Sequence, residues 1–200
     1  MDLTGKLPHT ISRGNKYLVV VYDYDLNAIV FEPIKTRQSK EKLEAFKMCK
    51  RKIATNNKQQ DLYVLDNVAS SDLKNSLVHN NQSFELVPPN MHRRNAAEKA
   101  IRTMKNHILS GLALCDKNHP IMGWYRLLKQ AEITLNLLRN LQVNLNLSSW
   151  AYIQKLYDFN KMPMAPPGTK IIAHSKPNKR ASRAYHGQTG WYVGPAPEYY

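Results

Sequence analysis

The sequence contains very little cysteine and no long hydrophobic run. Cys49 and Cys115 are its only cysteines, which excludes a disulfide framework and a zinc site built from several cysteines. The apolar residues 18–21 are bounded by tyrosines and charges, and no run approaches the roughly 20 apolar residues that a membrane span requires. We therefore expect an intracellular protein, nuclear or cytoplasmic and not secreted, without a membrane anchor.

Acidic residues are scarce relative to basic ones. The 200 residues include 15 Asp+Glu and 29 Lys+Arg, a net charge of +14 at pH 7. Eleven of these net positive charges fall in residues 91–200. This excess points to a polyanionic partner, such as nucleic acid or an acidic membrane surface. The length and the 42% hydrophobic content suit a domain with a buried core and exclude collagen-like, mucin-like and fully disordered classes.

The first half of the chain alternates strand and helix patterns. Residues 16–25 and 28–34 are rich in β-branched and aromatic side chains, which predicts an antiparallel hairpin. Apolar spacings of three and four predict an amphipathic helix over residues 39–54. Its outer face carries five cations, Lys40, Lys42, Lys47, Arg51 and Lys52. A solvated surface is the favoured interpretation of this face, and a binding role is the alternative.

Two further strands and three further helices follow. The strands are predicted over residues 61–65 and 83–87, with a helix over 70–78 between them that Ser70 and Ser71 are expected to cap. Residues 95–114 and 121–138 each place apolar side chains on one helical face, and we expect both helices to pack on the sheet.

Beyond Asn140, the frequent Asn, Ser, Pro and Gly predict a change of organisation. We expect a main domain over residues 1–140, a linker over 141–168 and a small β segment over 169–200. Trp124, Trp150 and Trp191 are interpreted as core residues rather than as platforms for stacked bases.

Three carboxylates occupy positions where such a fold places functional groups. Asp66 ends a strand, Glu98 lies near the start of a helix, and Asp2 precedes the hairpin. Two or three such groups suit Mg²⁺ or Mn²⁺, which in pairs promote phosphodiester transfer. Residue spacing alone leaves other roles open: an ion-pair ladder of Glu98 with Arg94 and Arg102, an Asx-turn at Asp66, or a disordered Asp2.

Four phrases of the sequence resemble the retroviral-type integrase core of retrotransposon polyproteins, closest to copia-type elements. They are DLTGKLP at residues 2–8, YLVVVYDYD at 17–25, LDNVASSDLK at 65–74 and VPPNMHRRNAAEKAIRTMKNHILSGL at 87–112. The GWYVG phrase at residues 190–194 is similar to the small β segment that follows that core.

The resemblance implies an α/β, RNase H-like fold: a mixed five-stranded sheet with flanking helices, plus a small C-terminal β appendage. It implies a D,D,E triad at Asp2, Asp66 and Glu98 that binds Mg²⁺ or Mn²⁺. The activity it implies is 3′-end processing of the element's DNA and strand transfer into target DNA. It also implies a homo-oligomer whose partner is DNA and not a membrane.

The sequence departs from the family pattern in three places. Asp2 directly follows Met1, Val68 replaces the usual glycine, and the upstream His/Cys zinc module is missing. We therefore expect a piece of a polyprotein or a decaying copy, with weak activity as an isolated chain. The alternatives are an inactive nucleic-acid-binding remnant of the same fold and, less favoured, a related RNase H-like nuclease.

Two groups of residues are predicted to contact DNA through its phosphates. The first surrounds Glu98 and comprises His92, Arg93, Arg94, Lys99, Arg102 and Lys105. The second lies in the C-terminal segment and comprises Lys176, Lys179, Arg180 and Arg183. A solvated helix or loop surface is the alternative for each group.

Overall fold

The structure, a computed structural model, describes residues 1–6, 14–54, 62–66, 69–88 and 96–197. In chain order its strands and helices are β1 (Asp2–Leu3), β2 (Tyr17–Asp23), β3 (Ala28–Ile34), α1 (Ser39–Ile53), β4 (Leu62–Leu65), α2 (Ser71–His79), β5 (Ser83–Leu86), α3 (Ala96–Ala113), α4 (Leu128–Leu137), α5 (Ser149–Ile153), β6 (Lys170–His174) and β7 (Gly187–Trp191). Two 3₁₀ segments, Ile121–Leu127 and Pro177–Lys179, complete the described elements.

The predicted hairpin is confirmed as β2 and β3. Their antiparallel ladder runs from Tyr17 opposite Ile34 to Asp23 opposite Ala28. The connecting turn places Asn27 at φ 51°, a left-handed conformation that asparagine tolerates better than most residues. β1 pairs with the other side of β2, so these strands form a three-stranded antiparallel sheet in the order β1-β2-β3.

β4 and β5 form a separate parallel pair. The helix α2 connects them, since parallel neighbours need a crossover. The predicted single five-stranded sheet is not shown among the described residues, whose strands form one three-stranded and two two-stranded sheets. One hydrogen bond links β1 with β4: the Met1 amino group donates to the Val64 carbonyl at 3.0 Å.

The predicted helix faces mostly hold. On α3, Ala97, Ile101 and Met104 are buried, and the hydrophobic cluster around them includes side chains of β2, β3 and α4. The predicted helix over residues 121–138 begins as the 3₁₀ segment and continues as α4. Leu138, expected on its buried face, is 74% exposed because α4 ends at Leu137 and the chain turns away.

The free edge of β3 is covered by polar side chains. Asn136 of α4 accepts a hydrogen bond from the Ile29 amide at 2.9 Å and donates to the Ile29 carbonyl at 2.8 Å. Glu132 accepts from the Phe31 amide at 2.9 Å, and Lys52 donates to the Phe31 carbonyl at 3.0 Å. These contacts satisfy edge groups that would otherwise be open to pairing with another strand.

The assignment of Lys52 to the solvated face of α1 was therefore wrong. Its ammonium lies 3.0 Å from Glu32 and 2.9 Å from Glu132, in a largely buried ion cluster. Lys52 follows Arg51 in the sequence, and both were assigned to the outer face of α1. The apolar spacing within α1 could not show that α4 covers the position of Lys52.

Residues 141–168, predicted as a linker, contain the helix α5 and contribute Leu141, Trp150, Ile153 and Met162 to the buried interior. The polar composition of this segment gave no pattern that predicts the burial of Leu141, Ile153 and Met162. The β appendage is present as the antiparallel pair β6 and β7, and every residue of β6 is exposed. The domain boundaries near residues 140 and 168 stay a prediction.

No helix in the described part of the chain is long and apolar enough to cross a lipid bilayer.

Candidate active site

Asp2 lies on β1, at the side of the three-stranded sheet that is nearest to β4. It stands opposite Val20 of β2, which belongs to the buried cluster beneath α3. One of its carboxylate oxygens accepts a hydrogen bond from the Leu3 amide at 2.6 Å. The register of β1 thus fixes Asp2 at the edge of the core, where its carboxylate is half-buried.

Asp66 immediately follows β4. Met1 donates to Val64, two residues before Asp66, and this bond brings the start of β1 beside the end of β4. The Asp66 carbonyl accepts a hydrogen bond from the Ala69 amide at 3.0 Å, which closes the turn into α2. The bond from Met1 to Val64 therefore brings the end of β4, and Asp66 after it, close to Asp2.

The third predicted carboxylate, Glu98, is exposed in the first turn of α3. α3 packs against β2 and also touches β1. Within the described residues Glu98 forms no ion pair with Arg102, so that half of the alternative ladder is not formed, while Arg94 lies outside the described residues.

Electrostatics relate the three groups to one another. Partial burial raises the pKa of Asp2, and the negative charges of Asp66 and Glu98 raise it further, while the hydrogen bond from Leu3 and the Met1 amino group oppose the shift. A carboxyl group whose pKa is raised by two neighbouring carboxylates is one that a cation would stabilise in its ionised form.

Asp2 and Asp66 line one cavity of about 280 Å³ together with Arg37, Lys42 and Ser70. The remaining wall is largely apolar: Met1, Leu3, Leu65, Ala69 and Leu73. The cavity therefore presents two carboxylates, two cations and a hydroxyl, a combination suited to a phosphate ester together with a divalent cation.

Sequence reasoning missed three of these residues. Lys42 was placed on a solvated helix face, Ser70 was read only as a helix cap, and Arg37 was not singled out. The N-cap prediction for Ser70 is half right: the residue precedes α2, but its side chain makes no capping hydrogen bond. Only the fold brings the loop before α1 next to the turn after β4.

A divalent metal fits the donors present, though the site is not preassembled. Among the described residues no three acidic, histidine or cysteine side chains lie close enough together to form a metal-binding group. The fit rests instead on the cavity that Asp2 and Asp66 share, and on the pKa of Asp2, which is raised mainly by burial and further by the charges of Asp66 and Glu98.

The predicted DNA-contacting residues divide into two sets. His92, Arg93 and Arg94 lie outside the described residues. Lys99, Arg102 and Lys105 are exposed on α3, and in the C-terminal segment Lys176, Lys179 and Arg183 are exposed while Arg180 is half-buried. The cations on α3 follow Glu98 along the helix, which places positive charge beside the candidate site.

No protein-family model and no curated protein matches the chain. Among solved structures, a chain of the simian T-cell lymphotropic virus intasome in complex with PP2A regulatory subunit B56 gamma is similar at a TM-score of 0.58 and 17% identity, over 97% of this chain and 65% of that chain. The HTLV-2 integrase catalytic core domain in complex with magnesium, in a trimeric form, is similar at a TM-score of 0.54 and 18% identity, over 76% of this chain and 93% of that chain.

The chain therefore has the mixed α/β fold of retroviral integrase catalytic cores, in agreement with the predicted RNase H-like class. It spans 65% of the length of the intasome chain. Since a fold can host many activities, the function rests on the residues of the site.

Proposed function

We propose that this chain is an integrase fragment of a copia-type retrotransposon polyprotein, which trims the 3′ ends of the element's DNA and joins them to target DNA. The observation that carries the proposal is the placement of Asp2 and Asp66 in one cavity, with the charge of Glu98 acting on the same carboxyl group. The fold shared with retroviral integrase cores supports it.

Asp2, Asp66 and Glu98 are the residues that would hold Mg²⁺ or Mn²⁺. When bound, such ions activate a water or a DNA 3′-hydroxyl and stabilise the leaving oxygen. The chain itself positions the carboxylates: the ladder to β2 fixes Asp2, the turn into α2 fixes Asp66, and the first turn of α3 carries Glu98. The HTLV-2 core, whose structure is a complex with magnesium, supports a divalent cofactor for this fold.

We also propose that β1 and β4 are neighbours in one five-stranded sheet of order β3-β2-β1-β4-β5. The hydrogen bond from Met1 to Val64 supports this order. In that order Asp2 would lie on β1 and Asp66 directly after the adjacent strand β4, so that their side chains could share one ion.

DNA would approach over the cations that follow Glu98 on α3, namely Lys99, Arg102 and Lys105, and over the basic residues of the β6–β7 hairpin. Phosphate contacts of this kind fix position without reading sequence. A homo-oligomer belongs to the proposal, because one structural neighbour is trimeric.

The test is an assay with an oligonucleotide that mimics an element end, with and without Mg²⁺. We expect weak metal-dependent trimming or joining, which Glu98→Gln abolishes. The matched control is Glu44→Gln, which removes an exposed carboxylate of α1 whose only described ion pair is with Lys47 at the surface. Equal activity of the Glu98→Gln and wild-type chains would exclude the assigned role.

An inactive remnant that only binds nucleic acid is the second candidate. It is favoured by one observation, that the described carboxylates do not already form a group of three donors. The same assay separates the candidates, since the remnant would bind the oligonucleotide without metal-dependent cleavage. Cleavage without joining would indicate an RNase H-like nuclease.

A further inference from the structure

The cavity that contains Asp2 and Asp66 has a positively charged side that the proposed metal chemistry does not use. Arg37 comes from the loop between β3 and α1, Lys42 from the first turns of α1, and Ser70 from the residue before α2. These three residues come from separate parts of the chain and meet only in the folded structure.

The loop that carries Arg37 is held in place on both sides. The Glu41 carboxylate accepts hydrogen bonds from the Lys35 amide at 3.0 Å and from the Thr36 amide at 2.8 Å. The Arg37 guanidinium lies over the ring of Tyr17, 4.8 Å from its centroid. A cation–π contact of this kind orients a guanidinium without neutralising its charge, so Arg37 is prepositioned.

Neither Arg37 nor Lys42 forms an ion pair with a described acid, including Asp2 and Asp66 in the same cavity. The ion pairs among the described residues involve Lys47 and Lys52, and none involves Arg37 or Lys42. Glu41, the nearest acid in sequence, is engaged by two backbone amides. Two unpaired cations on one wall of a cavity attract an anion.

Ser70 supplies an independent indication of a ligand. Its hydroxyl oxygen is buried and has no hydrogen-bond partner among the described residues. Buried polar atoms are almost always satisfied, and leaving one without a partner costs free energy. A ligand oxygen in the cavity would satisfy it, because the hydroxyl can donate to a phosphate oxygen.

We propose that Arg37, Lys42 and Ser70 form a phosphate subsite beside the two aspartates, and that its ligand is a phosphodiester of the DNA backbone. The identity of that ligand rests on the proposed function, whereas the binding of a phosphate does not. Arg37 and Lys42 bind the anion by charge, and Ser70 donates a hydrogen bond to it. The subsite fixes the DNA strand relative to the carboxylates.

The test compares DNA binding over a range of salt concentrations. Each lost phosphate contact reduces the slope of log affinity against log salt by about 0.9 for duplex DNA. The double variant Arg37→Gln/Lys42→Gln should lower the slope by nearly 2. The matched control, Lys40→Gln/Lys47→Gln, removes two charges from the same helix outside the cavity wall and should leave the slope nearly unchanged.

Two further variants separate charge from shape. Arg37→Lys keeps the charge and should retain most of the slope. Ser70→Ala removes no charge, so it should weaken binding by about fivefold, the effect of one hydrogen bond, at an unchanged slope. Thermal unfolding of every variant identifies any loss of binding that is caused by unfolding.

The outcomes distinguish this proposal from the proposed function. A reduced slope for the cavity variant in a chain that never cleaves DNA would support the subsite and overturn the integrase assignment. Metal-dependent joining with the same slope for cavity and control variants would overturn the subsite alone. Competition by inorganic phosphate as effective as that by a short duplex of equal phosphate concentration would identify free phosphate as the ligand and overturn the assignment to DNA.

Discussion

At the scale of single residues, the surroundings of Asp2 change its protonation equilibrium. Burial and the charges of Asp66 and Glu98 raise its pKa. A carboxyl group with a raised pKa in the folded state favours folding while it is protonated, and this contribution is lost as the pH rises through that pKa. At neutral pH, Asp2 therefore destabilises the metal-free protein.

Asp2→Asn should consequently stabilise the metal-free chain at pH 7, by at most about 1 kcal/mol because solvent screens a half-exposed group. The gain should shrink at acidic pH, where Asp2 is protonated in the wild type. Urea unfolding in EDTA measures both effects, and Asp72→Asn, at an exposed position of α2, is the control. A loss of stability at pH 7 would contradict the raised pKa.

At the scale of secondary-structure elements, Lys52 joins α1, β3 and α4. Its ammonium contacts Glu32 of β3 and Glu132 of α4. Burial raises the pKa of Glu132, and the positive charge of Lys52 opposes this shift. Without Lys52, two neighbouring carboxylates would remain with little solvent to screen them.

Lys52→Gln should therefore lower the free energy of unfolding by about 2–3 kcal/mol at pH 7. The loss should become smaller as the pH falls, because the folded state then protonates Glu132 and removes the repulsion. Chemical denaturation at several pH values measures this dependence. Lys47→Gln, which breaks only an exposed pair with Glu44, should cost less than about 0.5 kcal/mol. Equal losses for both variants would contradict the role of the ion cluster.

The elements themselves were largely predictable from sequence. The hairpin and α1 follow from local patterns, the period-2 run of β-branched residues and the apolar spacing of three and four. The 3₁₀ start before α4 and the helix α5 inside the predicted linker were not predictable, because both depend on packing between distant parts of the chain. The positions of Asp66 and Glu98 in the predicted elements were enough to make them candidate metal ligands. The resemblance to integrase cores then grouped them with Asp2 as a predicted D,D,E triad. The cavity residues Arg37 and Ser70 required the fold.

At the scale of the whole molecule, part of the net charge of +14 lies beside the candidate site. The exposed cations Lys99, Arg102 and Lys105 follow the candidate carboxylate Glu98 along one helix. A uniform surface charge would only increase non-specific attraction, whereas under the proposed function cations next to the site would hold a DNA strand across it.

Replacing these three α3 cations by glutamine should weaken the binding of all DNA sequences alike and lower the salt slope by up to about 2.7. Fluorescence anisotropy with two unrelated duplexes measures both properties. The triple variant Lys74→Gln/Lys117→Gln/Lys161→Gln, which removes three cations from other elements and loops, is the control. A sequence-dependent loss would show that the α3 cations read bases instead.

The central claim is that Asp2, Asp66 and Glu98 hold a divalent metal. Anomalous diffraction from crystals of the chain soaked in Mn²⁺ tests it most directly. We expect an anomalous peak for an ion that lies roughly 2.0–2.2 Å from carboxylate oxygens of Asp2 and Asp66, with the Glu98 side chain turned towards the ion. Crystals of the Asp66→Asn variant should show no such peak. Mn²⁺ bound only elsewhere, or a peak that persists in that variant, would contradict it.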